Sequence, residues 1–198
     1  MKKTVGDILA KLVRVATIPP LMVLALLLIA YGAIEGVYRS PQELLISILC
    51  LMFIPILAYP LAELIPRYKV RGREGQRNLA FIMSAVGYTG AVLWGWRARI
   101  SNLLMQIHLT YFLSVCALLV FNKALRLRAS GHACSIAGPL IFFAYMFGGL
   151  SLIPCALLFA AIAWASLHMK RHTPGELALG SACAGMAFCL SFLAVGLP

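Results

Sequence analysis

The amino-acid sequence predicts an all-α, polytopic membrane protein: six to seven transmembrane helices in one bundle, preceded by an N-terminal interfacial helix. Three observations carry that expectation. Hydrophobic residues make up 62% of the 198 residues and charged residues only 12%. The mean hydropathy is +0.93, and a soluble domain of this size has too little interior to hide so much apolar surface. The 17 Lys and Arg, against 6 Asp and Glu, gather between the apolar stretches rather than within them.

Taken in order, the N-terminus MKKTVGDILAKLVRVATIPP has no short apolar run followed by a small-residue cleavage site, so it is not expected to be a secretory signal. Val5, Ile8, Leu9, Leu12 and Val13 recur at helical spacing beside Lys2, Lys3, Lys11 and Arg14, the pattern of an amphipathic helix over 1–16 that lies in the membrane interface. A crossing needs about 20 apolar residues. Within residues 18–196 the hydropathy pattern places spans near 18–37, 43–64, 78–96, 101–121, 133–149, 151–168 and 176–196. Pro55, Pro60 and Pro139 fall inside spans, where membrane helices tolerate them. Residues 1–198 read as a single integral membrane domain, without internal repeats.

With the N-terminus inside, 14 of the 17 Lys and Arg fall on the inner face and only Arg39, Arg97 and Arg99 on the outer one. That asymmetry is the positive-inside pattern, and it points to an inner or plasma membrane protein with its basic loops in the cytoplasm. The net charge of +11 is then read as contact with anionic lipid headgroups. No nucleic-acid-binding motif accompanies it, so no nucleic acid is expected as a partner. The six cysteines lie in or beside apolar segments without a CxxC pair, and read as buried small hydrophobes.

Two polar stretches interrupt the apolar pattern. FNKALRLRASGH (Phe121 to His132) follows span four, and SLHMKRHTPGE (Ser166 to Glu176) follows span six. An even number of crossings separates them, so both are expected at one face, where they can form one site. In the second, Thr173, Pro174 and Glu176 make a capping-box pattern that starts a helix, with His172 just before it. Glu176, four residues after His172, is placed either to cap its own helix or to hold the imidazole. A carboxylate on one ring nitrogen fixes the tautomer and leaves the other nitrogen nucleophilic. In the first, Lys123, Arg126 and Arg128 offer cations to phosphate oxygens, and Ser130 and Gly131 offer a hydroxyl and an open backbone. His132 is a candidate general acid. His168, His172 and Glu176 at i, i+4, i+8 would make a metal stripe on one straight helix. Thr173-Pro174-Gly175 starts a new helix there, so neither metal nor other cofactor is expected. His108 reads as a satisfied intramembrane polar residue.

Read together, ASGH (Ala129 to His132) and H-T-P-G-E (His172 to Glu176) resemble the phosphatidic acid phosphatase type 2 superfamily of membrane lipid phosphatases. That family carries the motifs K-x6-R-P, P-S-G-H and S-R-x5-H-x3-D. The second stands here with Ala129 in place of Pro, and the third keeps its His and has Glu176 for Asp. The third-motif Arg would stand six residues before His172, where this chain has Ser166, with Lys170 and Arg171 as nearby cations. The first motif is degenerate. Lys123 with Arg126 or Arg128, or the basic loop from Arg67 to Arg77, is the candidate for its cations.

The resemblance implies a metal-independent phosphatase. His172 would attack phosphorus to give a phosphohistidine, Glu176 would orient it, and His132 would protonate the leaving group. Lys123, Arg126, Arg128, Ser130, Gly131 and Arg171 would bind the phosphate. The expected substrate is a lipid phosphate or diphosphate, such as phosphatidate, phosphatidylglycerophosphate or an isoprenoid diphosphate. Membrane lipids are the other expected contact, and the alternative is a catalytically weak or inactive relative that binds or transports a lipid or an anion.

Overall fold

Proline, glycine and short polar caps decide where most of the helices begin and end. The structure, a computed structural model, describes residues 4–196; Lys2 and Lys3, counted above with the inner-face cations, lie outside the described residues. Among the described residues nine helices follow one another: α1 Val5–Ala16, α2 Pro19–Ala33, α3 Pro41–Leu64, the single turn α4 Pro66–Lys69, and α5 Gly72–Ala98. They continue as α6 Asn102–Ala124, α7 Gly131–Phe147, α8 Gly149–His168 and α9 Pro174–Val195. No strand occurs among the described residues. Pro19, Pro41 and Pro174 open α2, α3 and α9, where the missing N–H would be unpaired anyway.

Five helices (α3, α5, α6, α8 and α9) are long and apolar enough to cross a bilayer, and a sixth crossing results if α1 and α2, bent 50° at their junction, count as one. The all-α bundle is therefore as expected, but one span is shorter than the hydropathy pattern suggested and another is shifted. The expected span 18–37 is helical only over the 15 residues of α2, roughly 22 Å, because the chain turns at Ile34 to Ser40. The expected span 133–149 is α7, which has the same length of 17 residues but starts two residues earlier, and it is ended by Gly148 with φ 71 and ψ −162, a conformation that side chains with a Cβ rarely adopt. Each is sheltered by protein. α7 buries Cys134, Ile136, Ala137, Leu140 and Phe142, and α2 buries Val23, Leu26, Leu27 and Ala30, so the full lipid thickness does not set their length.

Two helices are interrupted by π turns. In α3 the π turn Leu49–Phe53 ends two residues before Pro55, which cannot donate to the helical ladder. In α6 the last turn, Val120–Ala124, is also π. Hydrogen bonds at both ends of the bundle fix how the helices meet. At one end Arg39 donates to the Ala98 carbonyl at 2.9 Å and Ser101 to that of Val37 at 2.6 Å. At the other, Gln76 donates to Glu63 at 2.8 Å and Lys123 to Asn78 at 3.4 Å. His108 is fully buried, with Nδ1 3.1 Å from the Ala91 carbonyl and Nε2 2.9 Å from the Ser47 hydroxyl. Cys50, Cys134 and Cys183 are buried, whereas Cys189 is exposed on the outer side of α9.

α1 lies against α8. Thr4 caps it in a reciprocal capping box with Asp7, and Asp7 in turn meets His168 at 3.0 Å. Of its expected apolar stripe, Val5, Ile8, Leu9 and Leu12 are exposed, whereas Val13 packs against the cluster of Met22, Ile136, Leu140 and Ile162. An apolar stripe with no protein over it suits a helix in the membrane interface.

Candidate active site

Two helix N-termini converge at the basic end of the bundle. Ser130 caps α7, its hydroxyl accepting the Ala133 N–H at 3.2 Å, and Thr173 caps α9, accepting the Glu176 N–H at 3.2 Å. The free N–H groups and positive dipole ends of both helices favour an anion at this place. A main-chain hydrogen bond, Ser130 N–H to the Glu176 carbonyl at 2.9 Å, ties the two polar stretches together.

The Glu176 side chain does not close the capping box. Its Oε2 lies 3.0 Å from Nδ1 of His172, and its Oε1 3.5 Å from Nε of Arg128. Both residues of the His–Glu pair are largely shielded, 23% and 12% exposed at the side chain. With Nδ1 donating to the carboxylate, the lone pair of His172 resides on Nε2. The contact of Arg128 is to a mostly exposed arginine and adds little stability; its value is in orienting the carboxylate.

These residues line a cavity of about 660 Å3. Around its mouth stand Arg128, Ser130, Gly131, His132, Arg171, His172 and Glu176, joined by Lys11, Arg14 and Arg77. Deeper in, the wall is built of Val23, Leu51, Met52, Phe81, Val115 and Leu118, with the hydroxyls of Tyr88, Thr110 and Tyr111 among them. His132 is the second residue of α7, and its Nε2 is buried without a hydrogen-bond partner among the described residues. A buried ring nitrogen left unpaired costs free energy on the order of 1–3 kcal/mol, which a ligand or a water at that atom removes.

The expected site residues are not all gathered here. Lys123 and Arg126 do not line the cavity. Lys123 turns to Asn78 from the π turn that ends α6, and Arg126 is exposed in a left-handed conformation with φ 56. Of these three expected phosphate ligands Arg128 alone lines the cavity, because the helix that carries Lys123 stops at Ala124 and the chain turns. Asn122 holds this turn. Its Nδ2 donates to the Leu118 and Ala129 carbonyls at 2.9 and 3.2 Å, and its Oδ1 accepts the Ala129 N–H at 3.2 Å. An Asn at the end of an apolar helix is the signal that marks such a turn in sequence.

Lys170, at φ 50, is exposed and away from the cavity lining, whereas Arg171 is part of it. The guanidinium that touches Ser166 comes from the far end of the chain: Arg14 Nη1 donates to the Ser166 hydroxyl at 3.0 Å. The metal stripe does not form, because α8 ends at His168 and the chain turns before His172. His168 faces Asp7 instead.

The close approach of α9 to Ser130 depends on Gly180. A Cβ there would collide with the Ser130 carbonyl oxygen and lie 3.0 Å from its carbon and 3.1 Å from its nitrogen. Gly180→Ala is expected to push the ASGH turn off α9 and to destabilise the protein by about 1–3 kcal/mol. A lower thermal unfolding midpoint together with lost activity is the outcome that agrees; a wild-type midpoint would mean that the two elements are not packed this closely.

Comparison of the chain with protein-family models, with curated proteins and with solved structures finds no match in any of the three.

Proposed function

We propose that the protein is a membrane lipid phosphatase that hydrolyses a phosphate monoester or diphosphate of a lipid through a phosphohistidine. The observation that carries this reading is the His172–Glu176 pair, at 3.0 Å, in one cavity with the unpartnered ring nitrogen of His132. The resemblance of ASGH and His172-x3-Glu176 to the phosphatidic acid phosphatase type 2 superfamily points the same way.

In this mechanism the Nε2 lone pair of His172 attacks phosphorus in line with the bond to the lipid oxygen. That P–O bond breaks, and the departing oxygen takes a proton from His132, leaving the phosphoryl group on Nε2. Glu176 holds the Nδ1 proton and stabilises the positive charge that grows on the ring. Water, giving its proton to His132, then attacks phosphorus and releases inorganic phosphate. Phosphoryl transfer asks the protein mainly for positioning and charge neutralisation. Arg128, Arg171 and the N–H groups at the start of α7 are placed to supply them.

The cavity suits an amphiphile, with cations at its mouth and apolar side chains below. Its volume of about 660 Å3 is in the range of pockets that hold a ligand of drug size; the remainder of a larger lipid would lie among the spans. The positive-inside pattern supports a mouth at the cytoplasmic face. A cysteine introduced at Arg128 should react with a membrane-impermeant thiol reagent only from the cytoplasmic side; labelling in intact cells would reverse the orientation.

The function itself is tested by measuring phosphate release from a panel of lipid phosphates and diphosphates by the purified protein, in EDTA. Release that His172→Ala abolishes is the expected result. Binding of these lipids without release by the wild type would favour the alternative, a lipid- or anion-binding relative.

A further inference from the structure

The cations around the cavity are not equivalent. Lys11, Arg77, Arg128 and Arg171 are exposed, whereas Arg14 is half-buried. Among the described residues no carboxylate stands within ion-pair distance of Arg14. Its one side-chain hydrogen bond, from Nη1 to the Ser166 hydroxyl, uses a single donor out of five. Burial first, and the like charge of Arg171 second, pull its pKa below the usual arginine value. A half-buried guanidinium that faces another cation and has no counter-ion is costly unless an anion joins it.

The protein holds this guanidinium in place deliberately. Asp7 and Arg14 are seven residues apart, two turns of α1, and so share one side of the helix. Asp7 meets His168 and Arg14 meets Ser166, so both ends of that side are fastened to the last turn of α8. Ser166 is fully buried, which fixes the direction from which the guanidinium enters the cavity.

We infer that Arg14 is a direct phosphate ligand: the N-terminal interfacial helix delivers its guanidinium, seated on Ser166, onto the non-bridging oxygens of the phosphoryl group held between His172 and His132. The identity of the anion rests on the phosphatase reading; that an anion binds at Arg14 does not. α1 thereby becomes part of the active site as well as a membrane-facing helix. A planar guanidinium offers two parallel donors to two phosphoryl oxygens, which an exposed lysine such as Lys11 cannot reproduce.

The test uses the purified full-length protein and two readouts: release of phosphate from a lipid phosphate, and protection against thermal unfolding by orthovanadate, a mimic of the transferring phosphoryl group. Arg14→Gln keeps a donor for Ser166 and so keeps the fold, while removing the charge. Its turnover should fall about 10²–10³-fold, and the vanadate concentration that protects should rise by about tenfold or more. Arg14→Ser combined with Ser166→Arg returns a guanidinium from the other side of the same contact, and should regain about tenfold over Arg14→Ser alone. The inference is overturned if Arg14→Gln keeps turnover and vanadate protection within about twofold, or loses turnover with protection unchanged, since a purely structural role gives the second pattern. It is also overturned if vanadate fails to protect the wild type. A wild type that releases no phosphate but loses its vanadate protection on Arg14→Gln would refute the phosphatase reading and leave the anion site standing.

Discussion

His172→Ala is expected to lower phosphate release from a lipid phosphate by at least about 10⁴-fold, because it removes the atom that bonds to phosphorus. No other side chain at the mouth of the cavity replaces it. His132 stands on another helix, the Glu176 carboxylate is held toward Arg128, and the remaining polar groups are cations or hydroxyls without a base beside them. Glu176→Gln should lower release by about 10²–10⁴-fold. The glutamine keeps the size and can still bond to Nδ1, but it no longer favours the tautomer with the lone pair on Nε2 and carries no charge to balance the imidazolium. The double variant should be no worse than His172→Ala alone, since both residues serve one event. Additive losses would mean that Glu176 acts separately, as a helix cap.

His132→Ala carries the second large effect. General-acid assistance contributes about 10²–10⁴-fold, and the loss should depend on the leaving group. An alkyl lipid phosphate, whose alkoxide needs the proton, should lose most. A substrate with an acidic leaving group, such as an aryl phosphate or a diphosphate, should lose far less. The structural ground is the buried Nε2 of His132, which has no partner until a ligand arrives. Equal losses for both substrate types would assign His132 a structural role, and the unpaired nitrogen would then need another explanation.

The helices and the convergence of the two polar stretches were legible because they rest on short-range pattern. Apolar runs of about 20 residues mark spans, and the i, i+4 spacing of His172 and Glu176 brings them within reach whenever the turn at Thr173 forms. The count of crossings between Phe121 and Glu176 placed both stretches at one face. What failed was nearness in sequence taken for nearness in space. Lys123, Arg126 and Arg128 lie within six residues of one another, but α6 ends in a π turn and Arg126 is left-handed, so only Arg128 lines the cavity. The short α2 escaped notice because hydropathy does not see the turn from Ile34 to Ser40 that ends it. Arg14 could not be found at all by local reasoning. Its partner Ser166 is 152 residues away, and only the docking of α1 on α8 brings them together. Ser166 itself was visible as the place where the resembled family has an arginine; which residue came to it was not.

The most direct measurement of the central claim is a rapid-quench experiment with a lipid phosphate labelled in its phosphoryl group. A transient phosphoenzyme is expected that is stable in alkali, labile in acid, located on His172, and absent from His172→Ala. Hydrolysis by the wild type with no phosphoenzyme at any quench time, or with an alkali-labile label on a carboxylate, would contradict the phosphohistidine mechanism.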